Sequence, residues 1–196
     1  MKRGQIWIET VVYTLIALIM IGAVLTFVRP KIQEIQDKAI IDQTIEVMEG
    51  INQQITSIME GGSGNTRIIE IQIKKGDLEI YCKGDNENKI KYILKDTQAI
   101  YSEPCTVSEE ESCNEEDSVP FGDIKILTEK KGKLNDVTLI LDYTLKSIDL
   151  QCDGDSSNGK TTISKSQTPY KIEITNLGVP PIEGASNVVI NIQLLT

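Results

Sequence analysis

An α+β fold is what this sequence predicts: a long N-terminal helix, hydrophobic and then amphipathic, followed by an antiparallel β-sandwich or barrel-like head. Three observations carry that expectation. Nineteen consecutive residues from Thr10 to Val28 bear no charge. The apolar period then stays helical to about residue 59, and after a glycine cluster it changes to two. With 196 residues there is room for one such element and one domain of about 140 residues.

At 1.5 Å per residue, the uncharged stretch 10–28 makes a helix of roughly 28 Å, close to the hydrocarbon thickness of a bilayer. A secretory signal peptide is the rival reading. It would have a shorter apolar run and a small-residue cleavage site, whereas here Arg29, Pro30 and Lys31 lead directly into another periodic segment. Removal after the apolar run is therefore not expected. Ile32, Ile35, Ile41, Ile45, Met48, Ile51, Ile55 and Ile58 recur at spacings of three and four, with one gap of six. They predict an amphipathic helix over 31–59, with Pro30 a kink because it lacks a backbone donor.

Gly61, Gly62, Ser63, Gly64 and Asn65 predict a flexible break, giving a linker over 61–66 and a head over 67–196. Ile69, Ile71 and Ile73 alternate with Ile68, Glu70 and Gln72, and Leu78, Ile80 and Cys82 repeat the alternation after Lys74-Lys75-Gly76-Asp77. That pattern predicts a β-hairpin. Further strands are expected at 90–94, 124–127, 137–145, 170–175 and 188–194. Lys130-Lys131-Gly132-Lys133 matches the earlier Lys-Lys-Gly turn, although two short matches do not make a repeat.

Composition narrows the chemistry. Aromatics are 5% of the chain against 40% hydrophobic residues, so the core is mainly aliphatic. There is no histidine, which removes the commonest general base and every Ser-His or Cys-His pair. No enzymatic activity and no cofactor are expected. A net charge of -9 repels phosphate backbones, so no nucleic acid is expected as a partner.

The N-terminus carries the most specific motif. Met1-Lys2-Arg3-Gly4-Gln5-Ile6-Trp7-Ile8-Glu9 sets a basic pair and a glycine before the apolar run, with a single carboxylate near its start. This resembles the class III signal of archaeal type IV pilin-like proteins. The resemblance implies a prepilin leader over 1–4, cleavage by prepilin peptidase between Gly4 and Gln5, and a mature helical spine over 5–60. It further implies that Glu9, then the fifth residue, serves assembly. Phe at the first mature position, the bacterial form, is absent. The motif covers only about the first 28 residues.

Glu9 also has a reading independent of any family. A carboxylate near the bilayer edge favours a partner, and the new amine of Gln5 on a neighbouring chain would be one. The alternative is a carboxylate among lipid headgroups, where it suits the helix dipole.

Cys82, Cys105, Cys113 and Cys152 all fall in the β-rich part. Four cysteines in an external domain read as two disulfides. Cys105 with Cys113 closes a short local loop, leaving Cys82 with Cys152 between strands. Zinc and four buried free thiols are the rival readings; the spacing has no Cys-x-x-Cys pair. From Glu103 to Asp117 there are seven acidic residues and no basic one, expected as a solvated loop, with weak cation binding or a surface contact as alternatives. Asp153 to Gly159 looks like a calcium loop, but its glycine is one place late and Ser164 stands where a bidentate Glu is needed. No Asn-x-Ser/Thr sequon occurs.

Three classes of function follow. A structural filament subunit would pack its apolar helices in a bundle with heads outside, its partners being prepilin peptidase, identical or related pilin subunits, and membrane lipid before assembly. A single-pass membrane-anchored extracellular binding or adhesion protein, such as a minor pilin or accessory component, is the second. An envelope enzyme is the third, with no nucleophile-base pair to support it. Lys2 and Arg3, with the initiator amine, slightly outweigh Arg29 and Lys31, which places the head outside the cell.

Overall fold

The computed structural model describes residues 3–82, 88–106, 113–153, 159–181 and 186–195, and within them all side chains but those of 3–6 and 153. One helix, α1 (Arg3–Glu60), runs unbroken through Pro30 for 58 residues, or roughly 87 Å. The proline leaves the ladder one donor short without ending the helix.

Eleven strands follow among the described residues: β1 (Thr66–Ile71), β2 (Asp77–Tyr81), β3 (Lys89–Thr97), β4 (Cys105–Thr106), β5 (Val119–Phe121), β6 (Ile124–Lys131), β7 (Leu134–Asp142), β8 (Ile148–Asp153), β9 (Lys160–Ser164), β10 (Tyr170–Gly178) and β11 (Val188–Leu195). They form two sheets. One has the order β1-β10-β11-β8, and the other β4-β6-β7-β3-β2-β9 with β5 also on β6. Most pairs are antiparallel, as expected; β8 with β11 and β4 with β6 are parallel.

The expected hairpin over 67–82 does not form. β1 pairs with β10, whereas β2 pairs with β3 and β9, so the Lys74–Gly76 turn carries the chain from one sheet to the other. Gly76 makes that crossing possible. Its φ is +78°, and a Cβ there would lie 2.6 Å from the Ile93 carbonyl oxygen. The Tyr92 hydroxyl closes over the turn by donating to the Lys75 carbonyl at 2.6 Å.

One core unites helix and sheets. Ile41, Ile45, Met48, Ile51, Ile55 and Ile58 of α1 are buried in the same cluster as Leu78, Ile80, Ile90 and Leu139 of one sheet and Ile172, Ile174, Ile190 and Ile192 of the other. Alternation explains the strands: Leu78, Ile80 and Ile90 face inward while Glu79, Tyr81 and Lys91 face outward. The segment 61–65, expected to be flexible, is tied into a turn. Gly61 N–H donates to Ser57 O at 3.1 Å, Gly64 N–H to Asn176 O at 2.7 Å, and Asn176 N–H to Asn65 O at 2.9 Å.

Candidate membrane and assembly surface

Along α1 from Trp7 to Gln33 every side chain is exposed. Trp7 keeps 72% and Phe27 78% of its accessible surface, although both belong to the most apolar part of the chain. A contiguous apolar surface of this extent has no place on a monomer in water. The helix is long and apolar enough to cross a membrane once. Gly4 and Gln5 lie within its first turns, and Glu9 is exposed one turn above them. Met1 and Lys2 lie outside the described residues.

The head takes hold of α1 at Asp37, not at Ile32. Ile32 and Ile35 are exposed, at 48% and 67%, whereas the stripe from Ile41 onward is buried. The six-residue gap explains this. At about 100° per residue, six residues rotate the face by about 240°, so Ile35 lies about 120° from Ile41. Asp37, four residues before Ile41, takes the head-facing position and is buried.

A column of polar contacts then fixes helix to head. Asp37 accepts from Lys75 Nζ at 2.6 Å and from the Thr97 hydroxyl at 2.6 Å. Tyr101 donates to Asp42 at 2.6 Å. Asn52 donates to Asp123 at 2.7 Å and accepts from the buried Tyr143 hydroxyl at 3.1 Å. Burial pushes the Tyr92 hydroxyl up to about 12 and raises that of Tyr143 as well, so both stay protonated donors. At the top, the Asn176 side chain donates to the carbonyl oxygens of Ile58 at 3.1 Å and Met59 at 3.5 Å, which the helix end would leave unpaired.

Cys82 is bonded to Cys152 and Cys105 to Cys113, using all four cysteines and leaving no thiol for zinc. The first bond joins the two sheets, since Cys82 follows β2 and Cys152 lies in β8. Such bonds fit an oxidising, extracellular compartment.

The acidic segment is only partly a solvated loop. Glu109, Glu110 and Glu111 lie outside the described residues, but Glu115 folds onto the outer face of the larger sheet. There Lys89 Nζ reaches it at 2.5 Å and Lys91 Nζ at 2.6 Å. Burial works to raise the Glu115 carboxyl; the two lysines outweigh it and hold the group below its ordinary value. Residues 154–158 of the calcium-like loop also lie outside the described residues. Among the described residues no three His, Cys, Asp or Glu side chains converge as a metal site.

Two helix-anchoring groups, Asn52 and Asn176, escaped the sequence reading because nothing local marks them. Asp37 had a signal: it falls on the buried stripe when the six-residue gap is read as a rotation. No protein-family model, curated protein or solved structure matches this chain. The fold and surface therefore define a class by themselves: a disulfide-bonded β-rich head carried on a single helix of membrane-spanning length.

Proposed function

We propose that this chain is a structural subunit, a pilin or pilin-like protein, of an archaeal type IV filament. It would be cleaved by prepilin peptidase between Gly4 and Gln5 and assembled through α1. The observation that carries the reading is the helix itself. Its bare apolar half needs a bilayer before assembly and other copies of the same surface afterwards, while its other half is built into the head core. Rigid coupling at Asp37, Asn52 and Asn176 would make the position of each head follow the packing of its helix.

In this reading Glu9 accepts a neighbour's Gln5 amine as the helices leave the membrane, a pairing that low dielectric strengthens. Glu9→Gln should still insert into the membrane but lower filament yield at least about tenfold, if the pair is worth the ~1.4 kcal/mol that corresponds to that factor. Sheared surface material, weighed and viewed by electron microscopy, reads the yield. Normal yield from this variant would refute the pairing.

A second reading is a single-pass anchored binding or adhesion protein. The uncharged run Thr10–Val28 favours it, because one bilayer thickness satisfies that stretch without any neighbour. Wild-type protein that is processed yet found only as membrane-bound single subunits would select it.

A further inference from the structure

Where α1 enters the head, only one side of it is covered. The stripe from Ile41 to Ile58 faces the sheets, whereas Ala39, Asp42, Glu46 and Gln53 on the other side stay exposed. This outward side continues the bare apolar half of the helix. Ile32 and Ile35 carry exposed apolar surface past Val28, the end of the uncharged run, and up to the head.

Charge on the outward side is segregated along the axis. The lower stretch holds Arg29, Lys31 and Lys38, with Glu34 accepting from Lys31 Nζ at 2.7 Å and from Lys38 Nζ at 3.2 Å. Asp37, the other acid of this stretch, is turned into the head and holds Lys75. Three cations against one carboxylate leave the lower stretch positive. From residue 39 to 60 the helix carries Asp42, Glu46, Glu49 and Glu60 and no lysine or arginine. Among the described residues none of these four makes an ion pair. Asp42 accepts only from the neutral Tyr101 hydroxyl, and Arg67 and Lys74 of the head reach the helix at Gln54, Ser57 and Gln43 instead.

The spacing of the two stretches matches. Lys31 and Lys38 are seven residues apart, as are Asp42 and Glu49, and eleven residues separate each lysine from its acidic counterpart. Eleven residues rise roughly 16 Å, too far for an ion pair within one straight helix. They also turn through about 1100°, close to three full turns, so both pairs lie along one face.

We propose that neighbouring copies pack in parallel along this face, displaced axially by eleven residues, with Lys31 of one copy on Asp42 of the next and Lys38 on Glu49. The inference rests on the filament reading and goes beyond it by assigning the register between subunits. A displacement of seven residues would set Lys31 on Lys38 and Asp42 on Glu49, and one of four would pair Lys38 with Asp42 alone. At eleven the single like-charge approach is Glu49 with Glu60, at the exposed end of the helix. Each copy offers its acidic pair to one neighbour and its basic pair to another, a heterologous contact that repeats into an open filament.

The test co-expresses two full-length forms with different C-terminal tags, one Lys38→Cys and the other Glu49→Cys, and treats sheared surface filaments with a short bis-maleimide. All four native cysteines are in disulfides, so only the introduced thiols react. The mixed dimer should exceed either same-residue dimer by about fivefold or more, because proximity decides which thiols the linker joins. Lys38→Glu should lower filament yield about threefold or more, and Glu49→Lys added to the same chain should restore it. Within one chain the two positions stand roughly 16 Å apart, beyond a Debye length, so rescue has to come through a neighbour. Predominance of same-residue dimers, or a Lys38→Cys form that links better to Asp42→Cys than to Glu49→Cys, would overturn the offset and leave the filament standing. Absence of rescue would overturn the pairing of Lys38 with Glu49. Wild-type chain recovered only as single membrane-bound subunits would overturn the offset together with the filament reading.

Discussion

Asn176 donates its side-chain amide to the main-chain oxygen of Ile58 at 3.1 Å, closing the top of α1 from 118 residues further along the chain. The same side chain accepts from Gly178 N–H at 2.7 Å, and Asn176 is almost fully buried. A distant strand thus does what a local glycine cap does elsewhere. Replacing Asn176 with Ala strands a helix carbonyl and an amide N–H away from water. The expected loss is about 1–3 kcal/mol of head stability, read by denaturant unfolding of the detergent-solubilised full chain. A loss below about 0.5 kcal/mol would mean that water replaces the cap at no cost.

The two disulfides should differ in weight. Cys82–Cys152 spans 70 positions and Cys105–Cys113 spans eight. In the chain-entropy model closure of the longer loop is worth about 4 kcal/mol and of the shorter about 2.5 kcal/mol. Paired Cys→Ser substitutions compared by denaturant midpoint should show the larger drop for the sheet-to-sheet bond. The opposite order would contradict this ranking.

Acid should weaken the head in part through Glu115. Its folded-state carboxyl is held below the ordinary value against the pull of burial, so it contributes stability above its unfolded pKa near 4.5 and loses it as pH falls through the lower folded value. Glu115→Gln should lower stability at neutral pH and flatten the decline below about pH 4.5. Stability curves of variant and parent that stay parallel through this window would exclude a role for the Lys89–Glu115–Lys91 cluster.

The main outline was legible because it rests on period and length. Nineteen uncharged residues, a helical period and alternating strands each reflect backbone geometry, and the long elements follow them. β4 and β5, of two and three residues, and the longer β8 and β9 were not legible. Two or three residues carry no period, and β8 is a strand through its parallel pairing with β11, which lies forty residues on. The Lys-Lys-Gly turn after β1 looked like a hairpin turn because local sequence specifies a reversal without specifying which sheet receives the next strand. The position of Glu9 and the pairing possibilities of the cysteines could be read from spacing. Asn52 and Asn176 could not, since each acts on a partner brought near only by the completed fold.

The central claim is that α1 is the processed, assembling part of a filament subunit. The mature N-terminus of protein in sheared surface filaments, determined by mass spectrometry of its terminal peptide, tests it most directly. The account predicts a chain beginning at Gln5, four residues shorter than the precursor, within filaments visible by electron microscopy. A chain beginning at Met1 or Lys2, recovered only with the membrane and absent from any filament, would contradict it.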